Sequence, residues 1–265
     1  MPVPAAPAEI GALEAALRAG REAGRKLLVP YLTGGLPGWV DLLDPLAEAG
    51  ADAIEVGIPF SDPVMDGPII QEASERALAG GATPRSIVEE LAGRESVVPL
   101  AVMTYYNLVF RWGHQRCADE LARAGVAAAI LPDLPLDEAG HWCRAADAAG
   151  VETVLLAAPT TPEERLRRIV ARSRGFVYGV GLLGVTGERD DLAATAVEVA
   201  HRLKDVTDKP VLIGVGISTP GQAVEACTVA DGVVVGSALV RRLLAGASPE
   251  EAAGLVAEFR SALDG

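Results

Sequence analysis

The sequence predicts an α/β protein, a single (β/α)8 barrel of the TIM type that spans residues 1–265. Three observations lead to this prediction. Apolar segments of strand length alternate strictly with helical segments, eight times in succession. The strand segments are short, rich in Val, Leu and Ile and apolar on both faces, as in a parallel sheet covered by helices. The 265 residues contain no linker, low-complexity segment or composition break, which favours one closed barrel.

The strands are predicted from aliphatic runs that end in Gly, Pro or Asp. They cover residues 26–33, 53–56, 99–104, 127–131, 152–157, 175–180, 210–215 and 231–235. The intervening segments have apolar residues three and four apart, which is typical of helices. They predict helices at 9–25, 40–49, 69–79, 84–93, 137–149, 192–204 and 237–244, with others after residues 161, 219 and 248. An extra helix therefore precedes strand 1, and extra helices follow strands 2 and 8.

Local signals fix several helix ends. A capping-box pattern, in which Ser or Thr is followed by Pro and then by Glu or Gln, predicts three helix starts. It occurs at Thr161, Thr219 and Ser248. Pro45 lies inside the predicted helix 40–49, so we expect a kink or a late start there. After strand 3 we expect a loop at residues 105–107 and then one helix up to residue 124.

The composition argues against several kinds of partner. The formal net charge is −13, which disfavours nucleic acid and membranes, although backbone N–H groups can still bind a phosphorylated small molecule. The three cysteines lack metal-ligand spacing, so we expect reduced, buried thiols and a cytoplasmic protein. The amino-terminal residues do not resemble a signal peptide, and no apolar run approaches the roughly 20 residues that span a bilayer. The three histidines fall on predicted helices, and we expect them at the surface.

The strand 2 segment carries the main candidate for chemistry. Side chains alternate along a strand, so Glu55 points away from the face that Ile54 and Val56 share. A carboxylate in an apolar strand costs several kcal/mol, roughly, unless it is partnered or protonated. Asp66 lies in the Pro- and Gly-rich loop that follows. On these residues alone, Glu55 is either a working group or a structural glutamate with a buried partner, and Asp66 either joins the chemistry or only holds a turn.

Two glycine-bearing loops after strands 7 and 8 predict a phosphate site. In a (β/α)8 barrel such a site often lies there, at the amino end of a short extra helix. Gly214 and Gly216 follow strand 7, and Gly236 and Ser237 stand at the start of the short helix. Glycines let backbone N–H groups approach an anion, and the helix amino terminus adds a favourable field. Neither loop contains Arg or Lys, so we expect binding through N–H groups; the alternative is that these glycines only form tight turns.

Seven segments resemble, in chain order, segments of tryptophan synthase alpha subunits. They are PYLTGGLPG, the run 55–71 with GIPFSDPVMDGPIIQ, MTYYNLVF, ILPDLP, GVTG, GVGIS and GSALV. The resemblance covers nearly the whole chain and implies a lyase of L-tryptophan biosynthesis. This enzyme cleaves indole-3-glycerol phosphate to indole and glyceraldehyde 3-phosphate by a retro-aldol reaction, without a metal or organic cofactor. The resemblance also implies a partner, the tryptophan synthase beta subunit, in an alpha2beta2 complex.

The resemblance further implies roles for individual residues. Glu55 matches the family's catalytic glutamate, a general acid and base, and Asp66 its catalytic aspartate, which accepts the indole N–H. The implied substrate-binding residues are Tyr31, Met103 and Ile130 in the indole pocket, Tyr178 near the glutamate, Thr186 and Gly187 in a mobile lid, and Gly216, Gly236 and Ser237 at the phosphate. The positions at which the family meets its beta partner are Pro59, Asp62, Asn107 and Asp133.

The chain also departs from the family pattern. The departures are the stretch Gly181-Leu182-Leu183 before GVTG, Val215 in place of a usual phenylalanine, Leu36, and Tyr31 where phenylalanine is frequent. They leave the lid, the pocket shape and the partner open, but they touch neither carboxylate. Three other interpretations stay open: another enzyme on a phosphate-binding barrel, a regulatory subunit that mainly activates a partner, and a stand-alone lyase that releases free indole.

Overall fold

The structure, a computed structural model, describes residues 2–94, 96–180, 189–214 and 216–265. Within these ranges, eight parallel strands close into a barrel in which each strand pairs with its neighbours in the sequence and β8 pairs with β1. The strands are Leu27–Thr33 (β1), Ile54–Gly57 (β2), Leu100–Met103 (β3), Val126–Ile130 (β4), Glu152–Ala157 (β5), Val177–Gly179 (β6), Val211–Ile213 (β7) and Gly232–Val235 (β8). The predicted (β/α)8 barrel is confirmed.

The helices form the outer layer of the barrel. The described residues contain Ala12–Glu22 (α1), Leu43–Glu48 (α2), Pro68–Ala79 (α3), Pro84–Leu91 (α4), Tyr106–Trp112 (α5), His114–Arg123 (α6), Gly140–Ala149 (α7), Glu163–Arg172 (α8), Arg189–Lys204 (α9), Pro220–Ala226 (α10), Ser237–Leu244 (α11) and Pro249–Asp264 (α12). The predicted extra helices are present, as α1 before β1, as α3 and α4 after β2, and as α11 and α12 after β8. A short 3-10 helix, Trp39–Leu42, precedes α2, which is the late start that Pro45 predicts.

The region after β3 differs from the prediction. The expected single helix is divided into α5 and α6 at Gly113, whose φ of 89° takes the chain out of the helical conformation. Tyr106 and Asn107, which we expected in a loop, form the first turn of α5. The backbone N–H of Tyr106 donates to Asp133 Oδ1 at 2.8 Å, so a carboxylate from the loop after β4 satisfies the start of this helix.

Two of the three predicted capping boxes are present. Thr219 and Ser248 each accept a hydrogen bond from the backbone N–H three residues on, and the side chain at that position accepts one from the backbone N–H of the cap residue. The prediction at Thr161 is wrong. The Thr161 hydroxyl accepts the backbone N–H of Ala158 at 3.0 Å instead, and α8 begins after Pro162 without a side-chain cap. A turn within the preceding loop therefore competes successfully for the hydroxyl.

Helix α1 lies across the amino ends of the strands. Leu13 packs against Gly175 just before β6, and Gly20 packs against Leu27, the first residue of β1. Glu152, the first residue of β5, accepts the backbone N–H of Leu13 at 2.7 Å. The same carboxylate accepts the backbone N–H of Glu14 at 3.2 Å, so it caps the helix from a distant strand. The amino end of the barrel is thus filled, and the opposite end remains for a site.

The remaining expectations concern cysteines and histidines. All three cysteines are buried and free, as predicted. His141 and His201 are exposed as predicted, but His114 is half-buried. The Tyr106 hydroxyl lies 2.9 Å from Nε2 of His114, and the ring of His114 stacks on that of His141. None of the helices in the described ranges is long and apolar enough to cross a membrane.

Replacement of Glu152 tests the distant cap. We expect Glu152→Ala to lower the free energy of unfolding by about 2–4 kcal/mol, because two buried N–H groups lose their acceptor. Glu152→Gln keeps one acceptor oxygen and should lose less. The exposed Glu22, on the same helix α1, provides the matched control, and Glu22→Ala should change stability by less than about 0.5 kcal/mol. Urea denaturation followed by circular dichroism measures all three, and equal effects of Glu152→Ala and Glu22→Ala would contradict the assignment.

Candidate active site

A cavity of about 200 Å³ lies at the carboxyl end of the barrel. Its walls come from strands on all sides and from the loops that follow them. Of the residues that the sequence assigns to catalysis or substrate binding, nine line this cavity: Tyr31, Glu55, Asp66, Met103, Ile130, Tyr178, Gly216, Gly236 and Ser237. The fold therefore gathers side chains that are more than 200 positions apart in the chain into one space.

Glu55 lies in β2 and points into this cavity. Its residue surface is only 1% exposed, and neither carboxyl oxygen has a hydrogen-bond partner among the described residues. Burial raises the pKa of Glu55 to about 8, and the nearby Asp66 carboxylate contributes to the rise. Glu55 is therefore largely protonated at neutral pH, yet it can lose its proton at modest cost, as a general acid and base requires.

Asp66 reaches the cavity from the loop between β2 and α3. The loop is fixed beside it, because Gln71 Nε2 donates to the Asp66 backbone carbonyl at 2.8 Å. Pro68 then starts α3 directly after Gly67. Burial raises the pKa of Asp66, and a hydrogen bond with the Tyr105 hydroxyl opposes that rise. The two carboxyl groups thus face one cavity in different surroundings, which separates their protonation behaviour.

Tyr105 is a residue that the sequence analysis did not assign to the site. It directly follows Thr104 after β3 and is buried, and its ring stacks on Phe60 at a centroid distance of 5.0 Å. Its hydroxyl accepts the backbone N–H of Met65 at 3.0 Å, immediately before Asp66. Its position directly after a predicted barrel strand, at the carboxyl end where active sites of such barrels lie, is the sequence feature that could have identified it. Tyr105 holds the loop that carries Asp66.

The other walls of the cavity are mostly apolar. Met103, Ile130 and Leu156 line one side, and the ring of Tyr178 crosses the space above Gly214. A Cβ atom at Gly214 would lie 2.1 Å from the Tyr178 hydroxyl oxygen, so this ring position requires glycine there. The sequence analysis had not assigned Met65, Gly67, Ile70, Pro132, Leu156, Val180 and Val234 to the wall, whereas Gly214 belongs to the predicted phosphate loops. A flat, apolar ring system suits such walls.

The glycine-rich end of the same cavity has the features of an anion site. Gly214, Gly216, Gly236 and Ser237 line it, and Gly216 has a φ of 85°, which other residues rarely adopt. Ser237 is the first residue of α11, so the unpaired N–H groups of that helix start open toward the cavity. No Lys or Arg is among the described residues that line the cavity.

The remaining predicted positions fall into two groups. Thr186 and Gly187, together with the departures at Gly181-Leu182-Leu183 and Val215, fall outside the described residues. The four predicted partner positions, Pro59, Asp62, Asn107 and Asp133, do not line the cavity. Asp62 and Asn107 are exposed, and Asp133 lines a neighbouring cavity that shares Met65, Pro132, Leu156 and Val180 with the first. All four positions follow the carboxyl ends of β2, β3 and β4 in the chain.

Comparison with known proteins agrees with this geometry. Residues 17–263 match the family model described as "Tryptophan synthase alpha chain". The chain belongs to the tryptophan synthase alpha chain family. It is 43% identical over 244 residues to the tryptophan synthase alpha chain of Streptomyces coelicolor, covering 90% of this chain and 89% of that protein. It is 44% identical over 265 residues to the alpha chain of Gloeobacter violaceus, covering 96% and 93%.

Solved structures give the same result. The chain is similar to a chain of tryptophan synthase from Mycobacterium tuberculosis, with a TM-score of 0.87, 38% identity and coverage of 96% of this chain and 99% of that one. It is also similar to the tryptophan synthase alpha chain of Legionella pneumophila, with a TM-score of 0.85, 31% identity and coverage of 97% and 98%. Tryptophan synthase alpha chains are lyases of tryptophan biosynthesis, so the comparisons and the cavity point to the same kind of enzyme.

The buried Glu55 carboxyl should make the stability of the fold depend on pH. The pKa of Glu55 is about 8 in the folded chain and near its ordinary value of 4.5 when unfolded, so the folded state holds an extra proton between these pH values. The stability of the wild type therefore declines through this window as pH rises. Glu55→Gln has no such proton to lose. Its free energy of unfolding, relative to that of the wild type, should therefore rise by roughly 1–3 kcal/mol between pH 5 and pH 8.

The control for this prediction is Glu75→Gln, which changes an exposed glutamate on α3. Denaturation midpoints at pH 5, 6.5, 8 and 9 provide the measurement. A difference between Glu55→Gln and the wild type that stays constant from pH 5 to pH 9 would show that Glu55 does not titrate in this range.

Proposed function

We propose that this chain cleaves indole-3-glycerol phosphate to indole and glyceraldehyde 3-phosphate, as the alpha subunit of tryptophan synthase in L-tryptophan biosynthesis. Membership of the alpha chain family supports this activity. One structural observation supports the assignment of residues. Glu55 and Asp66 face a single, mostly apolar cavity whose far end is lined by glycines and by the amino terminus of α11.

The first chemical step assigned to the site is protonation of the indole ring. The neutral Glu55 carboxyl gives its proton to indole C3, which becomes tetrahedral while positive charge develops on the ring nitrogen. The elevated pKa of Glu55, caused by burial and by Asp66, keeps this proton available at neutral pH. The ionised Asp66 accepts the indole N–H and stabilises the positive charge, an interaction that is strong because the cavity is apolar.

The second step is cleavage of the carbon–carbon bond. Glu55, now a carboxylate, removes the proton from the hydroxyl group on the carbon attached to C3. That carbon becomes the aldehyde of glyceraldehyde 3-phosphate, and the electron pair of the broken bond returns to the ring to give indole. Glu55 ends the cycle with a proton, as it began, so the reaction needs no other proton donor or acceptor.

Binding of the phosphate orients the substrate for both steps. The N–H groups at Gly236, Ser237 and the glycines after β7 can donate to phosphate oxygens, and the Ser237 hydroxyl can add another donor. The indole ring then lies between Met103, Ile130 and Tyr178, with its edge toward the two carboxyl groups. Because both ends of the small substrate are bound, its reacting atoms are held in the orientation that the two carboxyl groups require. Thr186 and Gly187 remain proposed lid residues.

The family also supports a partner. We propose that a tryptophan synthase beta subunit docks on the mouth of the barrel at Pro59, Asp62, Asn107 and Asp133, and that residues 1–265 form one domain in an alpha2beta2 complex. Two exposed apolar side chains, Val64 and Phe110, lie in the same loop and helix as these positions and fit a docking surface. We also propose that the protein acts in the cytoplasm, where its buried, free thiols would stay reduced.

Removal of either carboxyl group tests the mechanism. We expect Glu55→Gln and Asp66→Asn each to reduce indole release by about 10²–10⁴-fold, with the fold retained, because each loses a group that acts in the transition state. Glu75→Gln on the exposed side of α3 should keep the wild-type rate. Indole formation from indole-3-glycerol phosphate is measured with purified proteins, and circular dichroism checks the fold. Near-normal turnover by Glu55→Gln would rule out the proposed mechanism.

Addition of a beta subunit tests the partner. We expect the rate of indole-3-glycerol phosphate cleavage to rise by about 5–150-fold when a tryptophan synthase beta subunit is titrated in, since coupled sites typically interact on this scale. Serum albumin at the same concentration controls for nonspecific effects. High activity of the chain alone, with no change on addition of the beta subunit, would instead identify a stand-alone lyase.

A further inference from the structure

Tyr105 holds both ends of the loop between β2 and α3 against the end of β3. At the start of the loop, the ring of Phe60 stacks on the ring of Tyr105 with an interplanar angle of 28°. Near its end, the Tyr105 hydroxyl accepts the backbone N–H of Met65 at 3.0 Å. Asp62 and Val64, between these two contacts, are exposed. The single buried side chain of Tyr105 therefore fixes the part of the loop that leads into Asp66.

The contacts of the Tyr105 hydroxyl leave its hydrogen atom for Asp66. A phenolic oxygen can accept hydrogen bonds, but it has one hydrogen to donate. The oxygen accepts from Met65, and the same hydroxyl is hydrogen-bonded to the side chain of Asp66. An ionised carboxylate only accepts, so the phenol is the donor in this bond. Burial, together with Asp66, raises the pKa of Tyr105 to about 12, so the phenol keeps its hydrogen at neutral pH.

The two carboxyl groups of the cavity differ in this hydrogen bond. The other titratable side chains that act on Asp66 are Glu55, Tyr31 and Tyr178. Tyr105 alone among the described residues is hydrogen-bonded to the Asp66 carboxyl group, whereas both oxygens of Glu55 lack a partner there. No Lys or Arg lies among the described residues that line the cavity. The Tyr105 hydroxyl therefore favours negative charge at Asp66 rather than at Glu55.

We infer that Tyr105 is a positioning residue for Asp66. Its hydroxyl holds the backbone of Met65 and donates to the Asp66 carboxylate, which keeps Asp66 ionised and leaves the proton of the carboxyl pair on Glu55. The inference rests on the proposed function and deepens it, because this is the protonation state in which Glu55 can protonate C3 while Asp66 accepts the indole N–H. Two interacting carboxyl groups titrate as a pair, and a donor that reaches one of them decides where their proton lies.

The test is the pH dependence of catalysis in Tyr105→Phe, which removes the hydroxyl and keeps the ring on Phe60. In the wild type, kcat/KM for indole release should fall on the acid side as Asp66 gains a proton and on the alkaline side as Glu55 loses one. In Tyr105→Phe the acid limb should move up by about one pH unit, the shift expected for the loss of one hydrogen bond to a carboxylate. A residue that only supports the fold would lower kcat/KM without moving this limb.

Two further variants complete the kinetic experiment. Tyr106→Phe is the matched control, because the Tyr106 hydroxyl lies beside His114 and outside the cavity, and its profile should coincide with that of the wild type. Phe60→Leu keeps the Tyr105 hydroxyl but removes the ring that fixes it, and it should move the acid limb in the same direction by a smaller amount. An unchanged acid limb in Tyr105→Phe, with the fold confirmed by circular dichroism, overturns the inference. Phe60→Leu decides the question in the same way if Tyr105→Phe does not fold.

A measurement without substrate separates this inference from the proposed function. Carbon-13 NMR of the protein labelled at aspartate carboxyl groups follows the titration of Asp66, whose signal is identified by its loss in Asp66→Asn. We expect the Asp66 midpoint to rise by about one pH unit in Tyr105→Phe and to stay unchanged in Tyr106→Phe. If the midpoint rises but the wild type releases no indole, the inference holds and the proposed function fails. If the wild type releases indole but neither the midpoint nor the acid limb moves, the function holds and the inference fails.

Discussion

The burial of the Glu55 carboxyl inside an apolar barrel is the constraint on which the site depends. An ionised carboxylate in this place would cost several kcal/mol, roughly, so the group keeps its proton and its pKa rises to about 8. The same barrel that imposes this cost also keeps the group in place, because β2 is paired on both sides by β1 and β3. A mobile loop could move and let water reach the carboxyl group, whereas a strand that is paired on both sides holds the group inside the barrel.

The two ends of the barrel treat buried charge in opposite ways. Three buried carboxylates at the amino end have partners. Asp52 accepts the Leu28 N–H at 2.8 Å, and its Oδ2 lies 3.4 Å from Arg260 Nη1. Asp231 accepts the Val211 N–H at 2.9 Å and pairs with Lys204. Glu152 caps α1. These satisfied carboxylates stabilise the fold, whereas Glu55 at the carboxyl end, which has no hydrogen-bond partner among the described residues, is available for chemistry. The separation of stability and reactivity between the ends is a general property of such barrels.

Much of this arrangement could be predicted from the sequence, and the exceptions have physical causes. Apolar strands that alternate with helices predict the barrel, and the run 55–71, which begins within β2 and resembles the family, predicts both carboxyl groups. The break at Gly113 was missed because a glycine inside a helical pattern is compatible with a continuous helix and with a break. Thr161 carries the same local pattern as Thr219, but the path of its loop offers the hydroxyl a nearer donor. Tyr105 acquires its role only once the loop after β2 folds back onto β3.

Glycines determine the shape of the cavity as much as its side chains do. The rings of Tyr31 and Tyr178 extend over the adjacent strand into space that exists only because Gly57 and Gly214 lack a Cβ atom. Each ring therefore packs against the backbone of a glycine in or directly after the neighbouring strand. This explains how a site with few polar groups can orient them well. Close packing against glycine thus sets the position of both rings at the wall of the cavity.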